Sequence, residues 1–193
     1  VTPLLVLASA SPRRARILSE LGVPFRVAVS DVDESLAPGE EAGAAAVRLA
    51  RAKAEAVAAA VGDALPVLAA DTLVVCEGKA LGKPESPAAA ADMLRLLSGR
   101  THEVVTGTCL LARGRAHTGL DRTEVRFAPL SEADIAWYVD TGEPLDKAGA
   151  YHVDGKGGLF IESVAGSPSN VAGLPVRRLR QLLRAAGLDL GLG

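Results

Sequence analysis

The sequence predicts an α/β fold, a mixed and twisted sheet with flanking helices. Two observations point there. Short apolar runs of strand length alternate along the chain with amphipathic stretches of helical period, without a clean strand–helix–strand repeat. Two long strand-like stretches, Glu103–Ala112 and Ala116–Ala128, flank the turn signal Arg113-Gly114, and a hairpin of that kind brings antiparallel pairing into the sheet. A chain of 193 residues is long enough for one sizeable core, or for one domain split into two lobes around a cleft, and a single domain over residues 1–193 is expected.

The elements follow in order. Leu4–Ala8 reads as a buried strand and runs through Ser9-Ala10-Ser11 into a helix from Pro12 to Leu21, ended by Gly22. A strand follows at Phe25–Val29. Ser30 to Glu41, acidic and rich in turn residues, reads as a loop, with Asp31, Asp33 and Glu34 just past the strand end where α/β sheets place ligand-binding groups. In the next helix, Ala44 to Val61, the residues Val47, Ala50, Ala54, Val57, Ala58 and Val61 share one face. Arg48, Arg51 and Glu55 cluster to one side of that face, and Lys53 stands alone on its other border, where a lysine ordinarily snorkels to solvent.

Leu65–Ala70 is a short apolar run, which puts Asp71 at the end or bend of a buried strand. Leu73–Cys76 then turns through Glu77-Gly78-Lys79. Pro87–Leu97 is helical with Ser98-Gly99 as its stop, and Ser131 opens a helix through Asp140 with Asp134 three residues on. The glycine-rich Gly149–Gly158 segment reads as strand and loop, Leu159–Val164 as another strand, and Pro175–Ala186 as the closing helix.

Composition narrows the function. A net charge of −2 excludes a generally basic nucleic-acid-binding surface, and three Phe, two Tyr and one Trp leave little for a base-stacking platform. No run reaches membrane-spanning length, and the N-terminal apolar segment is only a strand long and is followed by arginines, so a soluble, cytoplasmic protein is expected, with no membrane and no nucleic-acid polymer among its partners. Cys76 and Cys109 form neither a zinc spacing nor a redox pair and read as buried free thiols. No G-x-x-x-x-G-K-S/T loop and no G-x-S-x-G elbow occurs, and His102, His117 and His152 are scattered singly.

The first helix carries the main chemical signal. A buried strand that ends in small hydroxyl residues, with Pro12 at the first helical position, leaves backbone N–H groups pointing beyond the strand end. Arg13 and Arg14 in the first turn oppose the helix dipole unless something negative meets them there. A phosphate site is the reading.

Further segments complete a pattern: Ser9 to Arg14, Ser30-Asp31-Val32-Asp33-Glu34, Arg48 to Ala54, Ala69-Ala70-Asp71-Thr72, Leu81-Gly82-Lys83-Pro84, and Glu143 to Tyr151. In this order they resemble the Maf family of nucleoside triphosphate pyrophosphatases, historically labelled septum formation inhibitors, over nearly the whole chain. The resemblance implies two lobes around a nucleotide-binding cleft, as in Maf and ITPase-like folds, and a homodimer. It implies hydrolysis of a nucleoside triphosphate to monophosphate and pyrophosphate. It also reverses the reading of Lys53, placing it with the catalytic groups.

That reaction needs positive charge on the phosphates, a divalent ion and a group that deprotonates or orients water. Arg13, Arg14, Lys53 and Lys83 are the candidate cations, with Ser9 and Ser11 as hydroxyl donors, although Ser11 equally suits a helix N-cap. Neither Lys53 nor Lys83 is expected to support the apolar core. By resemblance Asp71 is the acid/base and Glu34 a metal ligand or helper, and both carboxylates suit magnesium, with manganese or cobalt as alternatives. Asp31 and Asp33 read as solvated loop charges, and Asp146-Lys147 as either a local ion pair or a substrate contact.

Arg13 and the Asp71-Thr72 pair match the family branch acting on dTTP and UTP, whereas the branch acting on 7-methyl-GTP tends to carry Trp and Gln in place of Arg13 and Thr72. One departure bears on the base. The family segment G-A-Y-G-I-Q-G is Gly149-Ala150-Tyr151-His152-Val153-Asp154-Gly155 here, so Asp154 stands where glutamine usually reads the base, which leaves CTP or a guanine nucleotide as alternative substrates. A rival of another class is a catalytically weak nucleotide-binding regulator of cell division, for which a retained Asp71 has no use.

Overall fold

A computed structural model describes residues 2, 4–62 and 64–188, so the ends of the expected 1–193 domain, Val1 and residues 189–193, lie outside it. The strands are β1 (Leu5–Leu7), β2 (Phe25–Val27), β3 (Val67–Cys76), β4 (Lys79–Leu81), β5 (Thr101–Ala112), β6 (Arg115–Phe127) and β7 (Ile161–Ala165). The helices are α1 (Pro12–Glu20), α2 (Ala42–Val61), α3 (Pro87–Leu97), α4 (Glu132–Asp140), the single turn α5 (Pro168–Val171) and α6 (Val176–Ala185). The strands form a seven-stranded sheet in the order β2-β1-β3-β5-β6-β7, with β4 paired to β3. The sheet is mixed: β1 runs parallel to β2 and β3, while β4 is antiparallel to β3 and β7 antiparallel to β6.

By contact density the chain divides into two compact units. The first comprises residues 1–71, 106–121 and 173–193; the second comprises 72–105 and 122–172. In the first, α2 lays Ala50, Ala54 and Val57 against Val6, Val67 and Ala69 of the sheet. Small side chains let it come close. A methyl at Gly107 of β5 would lie 2.3 Å from the carbonyl of Ala46, so only glycine permits this approach. The core of the second unit gathers Leu94 and Leu97 of α3, Val125 and Phe127 of β6, Ile135 and Tyr138 of α4, and Tyr151 and Phe160. Phe127 meets His102 and Tyr151 edge-on, with ring centroids 5.0 and 4.9 Å away.

Local signals predicted several elements well. The helix at Pro87–Leu97 has the expected bounds, and α4 opens on a capping box in which the Ser131 hydroxyl accepts from the Asp134 N–H while the Asp134 carboxylate accepts from the Ser131 N–H. Two expectations are corrected. The run expected to end near Asp71 is one ten-residue strand, and Asp71 lies inside it. The Gly149–Gly158 segment holds no strand: it is built from 3₁₀ turns at Ala148–Ala150 and Lys156–Phe160. There Gly149 and Ala150 both adopt positive φ, 69° and 59°, which reverses the chain and breaks an extended path.

Candidate active site

The first unit brings together most of the residues singled out from the sequence. β1 ends at Leu7, and Ser9 follows it, buried. The Ser9 Oγ accepts from the Ser11 N–H at 3.1 Å and from Arg14 Nη1 at 3.1 Å. A serine hydroxyl has two acceptor sites and one proton, so with both sites taken Ser9 offers an incoming group only a donor, which suits an anion. Ser11 occupies the N-cap position of α1, but its side chain makes no capping bond and Pro12 starts the helix. The capping alternative for the Ser11 hydroxyl is therefore not realised.

Arg14 is held on both flanks, since its Nε also donates to the carbonyl of Gly173 at 2.8 Å. Burial pushes its guanidinium below the usual value; Asp71 opposes this, Arg13 reinforces it, and Glu34 opposes it. Those influences put the start of α1 within electrostatic reach of the two carboxylates proposed for catalysis. Gly173 is a member of this cluster that the sequence did not single out. Its part is played by a backbone carbonyl, which leaves no side-chain signal.

Lys53 does not snorkel. It is buried on the core side of α2, where its Nζ lies 2.5 Å from Asp71 Oδ1 and 2.8 Å from Glu34 Oε1. Placing it on the border misjudged the width of the packed face, because the buried set of α2 also takes in Ala45, Ala46 and Leu49. Lys53 is thus part of the packed face of α2, contrary to the expectation that it leaves the core unsupported. A buried ammonium needs compensating charge, and a carboxylate inside a buried strand needs the same.

Glu34 is exposed, on a loop tied back to α2: Arg48 donates to Glu40 Oε1 at 2.7 Å and to the Ser35 carbonyl at 3.1 Å. Asp33 is a solvated loop charge as expected, accepting from the Ser35 N–H and hydroxyl at 2.9 Å each. Asp31 is likewise exposed.

The donor set suits a hard cation. Asp71 and Glu34 each direct an oxygen at the same ammonium, so a short span separates them, and they contribute carboxylate oxygen with no sulfur or imidazole. Among the described residues no cluster of three or more His, Cys, Asp and Glu side chains is arranged to hold a metal ion. Two carboxylates meet the demand of an ion that takes most of its shell from water and phosphate.

Thr72, Lys83 and Asp154 belong to the second unit. Thr72 follows Asp71 in β3, Lys83 is exposed just after β4, and Asp154 is exposed in the turn at 153–155. Asp146 and Lys147 form a local ion pair, the Lys147 ammonium bonded to the Asp146 carboxylate. Of the histidines, His102 is buried against Tyr151, its Nε2 2.9 Å from the phenol oxygen. Among the described residues no helix is long and apolar enough to cross a membrane.

Residues 4–186 match the family model described as Maf-like protein. The chain is 52% identical over 188 residues to a dTTP/UTP pyrophosphatase of Moorella thermoacetica, covering 96% of each chain. It is 51% identical over 191 residues to one of Anaeromyxobacter, covering 96% of this chain and 91% of the relative, and 44% identical over 186 residues to one of Bacillus cereus, covering 96% and 97%. The solved structure of the Staphylococcus aureus Ham1 protein shares the fold at 16% identity, with a TM-score of 0.55 over 94% of this chain and 98% of that one.

Proposed function

This chain belongs to the Maf-like family, and we propose that it hydrolyses nucleoside triphosphates, dTTP and UTP foremost, to the monophosphate and pyrophosphate, clearing unwanted nucleotides as a single-domain, cytoplasmic homodimer. The observation that carries the reading is the buried Lys53 ammonium held between Asp71 and Glu34, beside an arginine-bearing helix start. A regulator that only bound nucleotide would have no need of a carboxylate buried inside a strand. Two cysteines that are buried and unbridged are consistent with a reducing compartment.

In the proposed reaction the triphosphate lies over the start of α1. Arg13, Arg14 and Lys83 receive its charge, and the protons of Ser9 and Ser11 donate to phosphate oxygens. Asp71 takes a proton from the attacking water, with Lys53 fixing the carboxylate and stabilising negative charge as it develops on the phosphoryl oxygens. Glu34 and Asp71 would hold a divalent ion, magnesium or in its place manganese or cobalt, which supplies Lewis-acid polarisation of the phosphate oxygens when bound. Thr72 lies beside the base-catalytic position and is assigned to substrate binding. Asp154, at the position where the family pattern usually has glutamine, is assigned to the nucleobase.

A panel of dTTP, UTP, CTP, GTP and 7-methyl-GTP, assayed for monophosphate and pyrophosphate with and without chelator, tests this. Equimolar monophosphate and pyrophosphate from dTTP and UTP, lost on chelation and restored by magnesium, is the expected result. Release of orthophosphate would place cleavage at the wrong bond, and nucleotide binding without release would favour the regulator. Sedimentation of the same sample tests the homodimer.

A further inference from the structure

The segment from His152 to Gly158 carries Asp154, yet its backbone is held by two side chains from elsewhere in the second unit. The Tyr138 hydroxyl, on α4, accepts from the His152 N–H at 3.0 Å and donates to Glu143 Oε1 at 2.8 Å. Glu143, just beyond α4, then reaches the other limb of the same turn: Oε1 accepts from the Gly157 N–H at 3.0 Å and Oε2 from the Lys156 N–H at 3.2 Å. Val153, Asp154 and Gly155 are therefore clamped from both sides, and the Gly155 N–H closes the turn onto the His152 carbonyl at 3.2 Å.

Two glycines of this segment report the same clamp. A methyl at Gly155 would lie 2.6 Å from Glu143 Oε2, and one at Gly157 would lie 2.6 Å from the Tyr138 hydroxyl. Gly155 has a negative φ of −112°, and the atoms a methyl there would meet are the Glu143 carboxylate oxygens and, at 2.7 Å, the His152 Nδ1. Burial pushes the Glu143 carboxyl up, but hydrogen bonds from Gly157, Tyr138 and Lys156 outweigh it and hold the group below the ordinary range. It is the ionised acceptor that the three donors require.

We propose that Glu143, braced by Tyr138, is a positioning residue for nucleobase selection, fixing the turn that presents Asp154. The inference rests on the assignment of Asp154 to the base made above. Selection by hydrogen bonding depends on holding donors and acceptors in register, and a turn free to move by an ångström loses that register without disturbing the groups that act on the phosphates.

Glu143→Gln tests it with little change in shape. A glutamine has one acceptor oxygen, so whichever way the amide turns, an NH2 faces a backbone N–H of Lys156 or Gly157. Tyr138→Phe removes the brace and keeps the ring in the core. In both variants the spread of kcat/KM across UTP, dTTP, CTP and GTP should narrow by ~5-fold or more, mainly through KM, while kcat for the best substrate changes less than ~3-fold. Amide hydrogen exchange over residues 153–157 should quicken by ~10-fold in both, with α2 and β3 unaffected. Unchanged base ratios in both variants would overturn the inference, as would a uniform fall in kcat for all four nucleotides. If the wild-type protein cleaves none of them, the pyrophosphatase reading fails instead, and the exchange data alone still decide whether Glu143 holds the turn.

Discussion

Lys53 Nζ lies 2.5 Å from Asp71 Oδ1, and only 10% and 9% of the two side chains are exposed. The ammonium projects from the core side of α2 and the carboxylate from within β3, so helix-to-sheet packing and the proposed chemistry share one contact. Removing one member of a buried pair leaves the other uncompensated, which typically costs ~3–5 kcal/mol. Lys53→Ala is therefore expected to lower both turnover and Tm. Lys83, which is exposed, should lose turnover on substitution by alanine with Tm unchanged. Calorimetry beside a pyrophosphate assay separates the two, and full activity in Lys83→Ala would remove it from the phosphate site.

Asp71→Asn keeps the shape of the side chain and removes its basicity. Turnover should fall by ~10² or more, the usual contribution of a positioned base, with nucleotide affinity largely kept. Equilibrium binding of a non-hydrolysable analogue, with and without magnesium, distinguishes the possible roles. Affinity that loses its metal dependence in the variant would make Asp71 chiefly a ligand.

His102 makes a prediction about pH. Burial pushes it from an ordinary value of 6.5 down to about 4, so the folded protein keeps it neutral. As pH falls below 6.5 the unfolded chain takes up a proton at this residue that the folded chain does not, and the stability it contributes declines until about pH 4. Above the ordinary value it has no effect. Between pH 7 and 5, before carboxylates titrate, Tm should fall more steeply for wild type than for His102→Gln. Parallel curves would show that His102 titrates normally.

Asp154 bears on base choice. Uracil and thymine present two carbonyl acceptors around one N–H donor; a glutamine amide meets both kinds of group, whereas an ionised aspartate only accepts. The enzyme is expected to prefer dTTP and UTP less strongly over CTP and GTP than relatives with glutamine do, and Asp154→Gln to sharpen that preference. One satisfied contact to a base edge is worth ~1–3 kcal/mol, enough for a several-fold change in relative kcat/KM. An unaltered ranking would remove this position from base recognition.

What the sequence determined by itself is what local physics controls. Apolar period and proline at a first helical position located α1 and α3, and the Ser131 cap located α4, because each signal is complete within a few neighbouring residues. The tertiary structure decided which long-range partners those residues meet. Lys53 finds Asp71 across 18 positions, and Arg14 finds the Gly173 carbonyl across 159. Periodicity put Lys53 on a border because it measures direction around a helix and cannot measure how far the sheet reaches around it. Asp71 looked like a strand end because a carboxylate in a buried strand is costly until its counter-charge arrives from another element. The Gly149–Gly158 segment reads as strand and loop for a related reason: Gly155 and Gly157 lie against Glu143 and Tyr138, and Gly149 against Val74, neighbours that only the folded chain brings up.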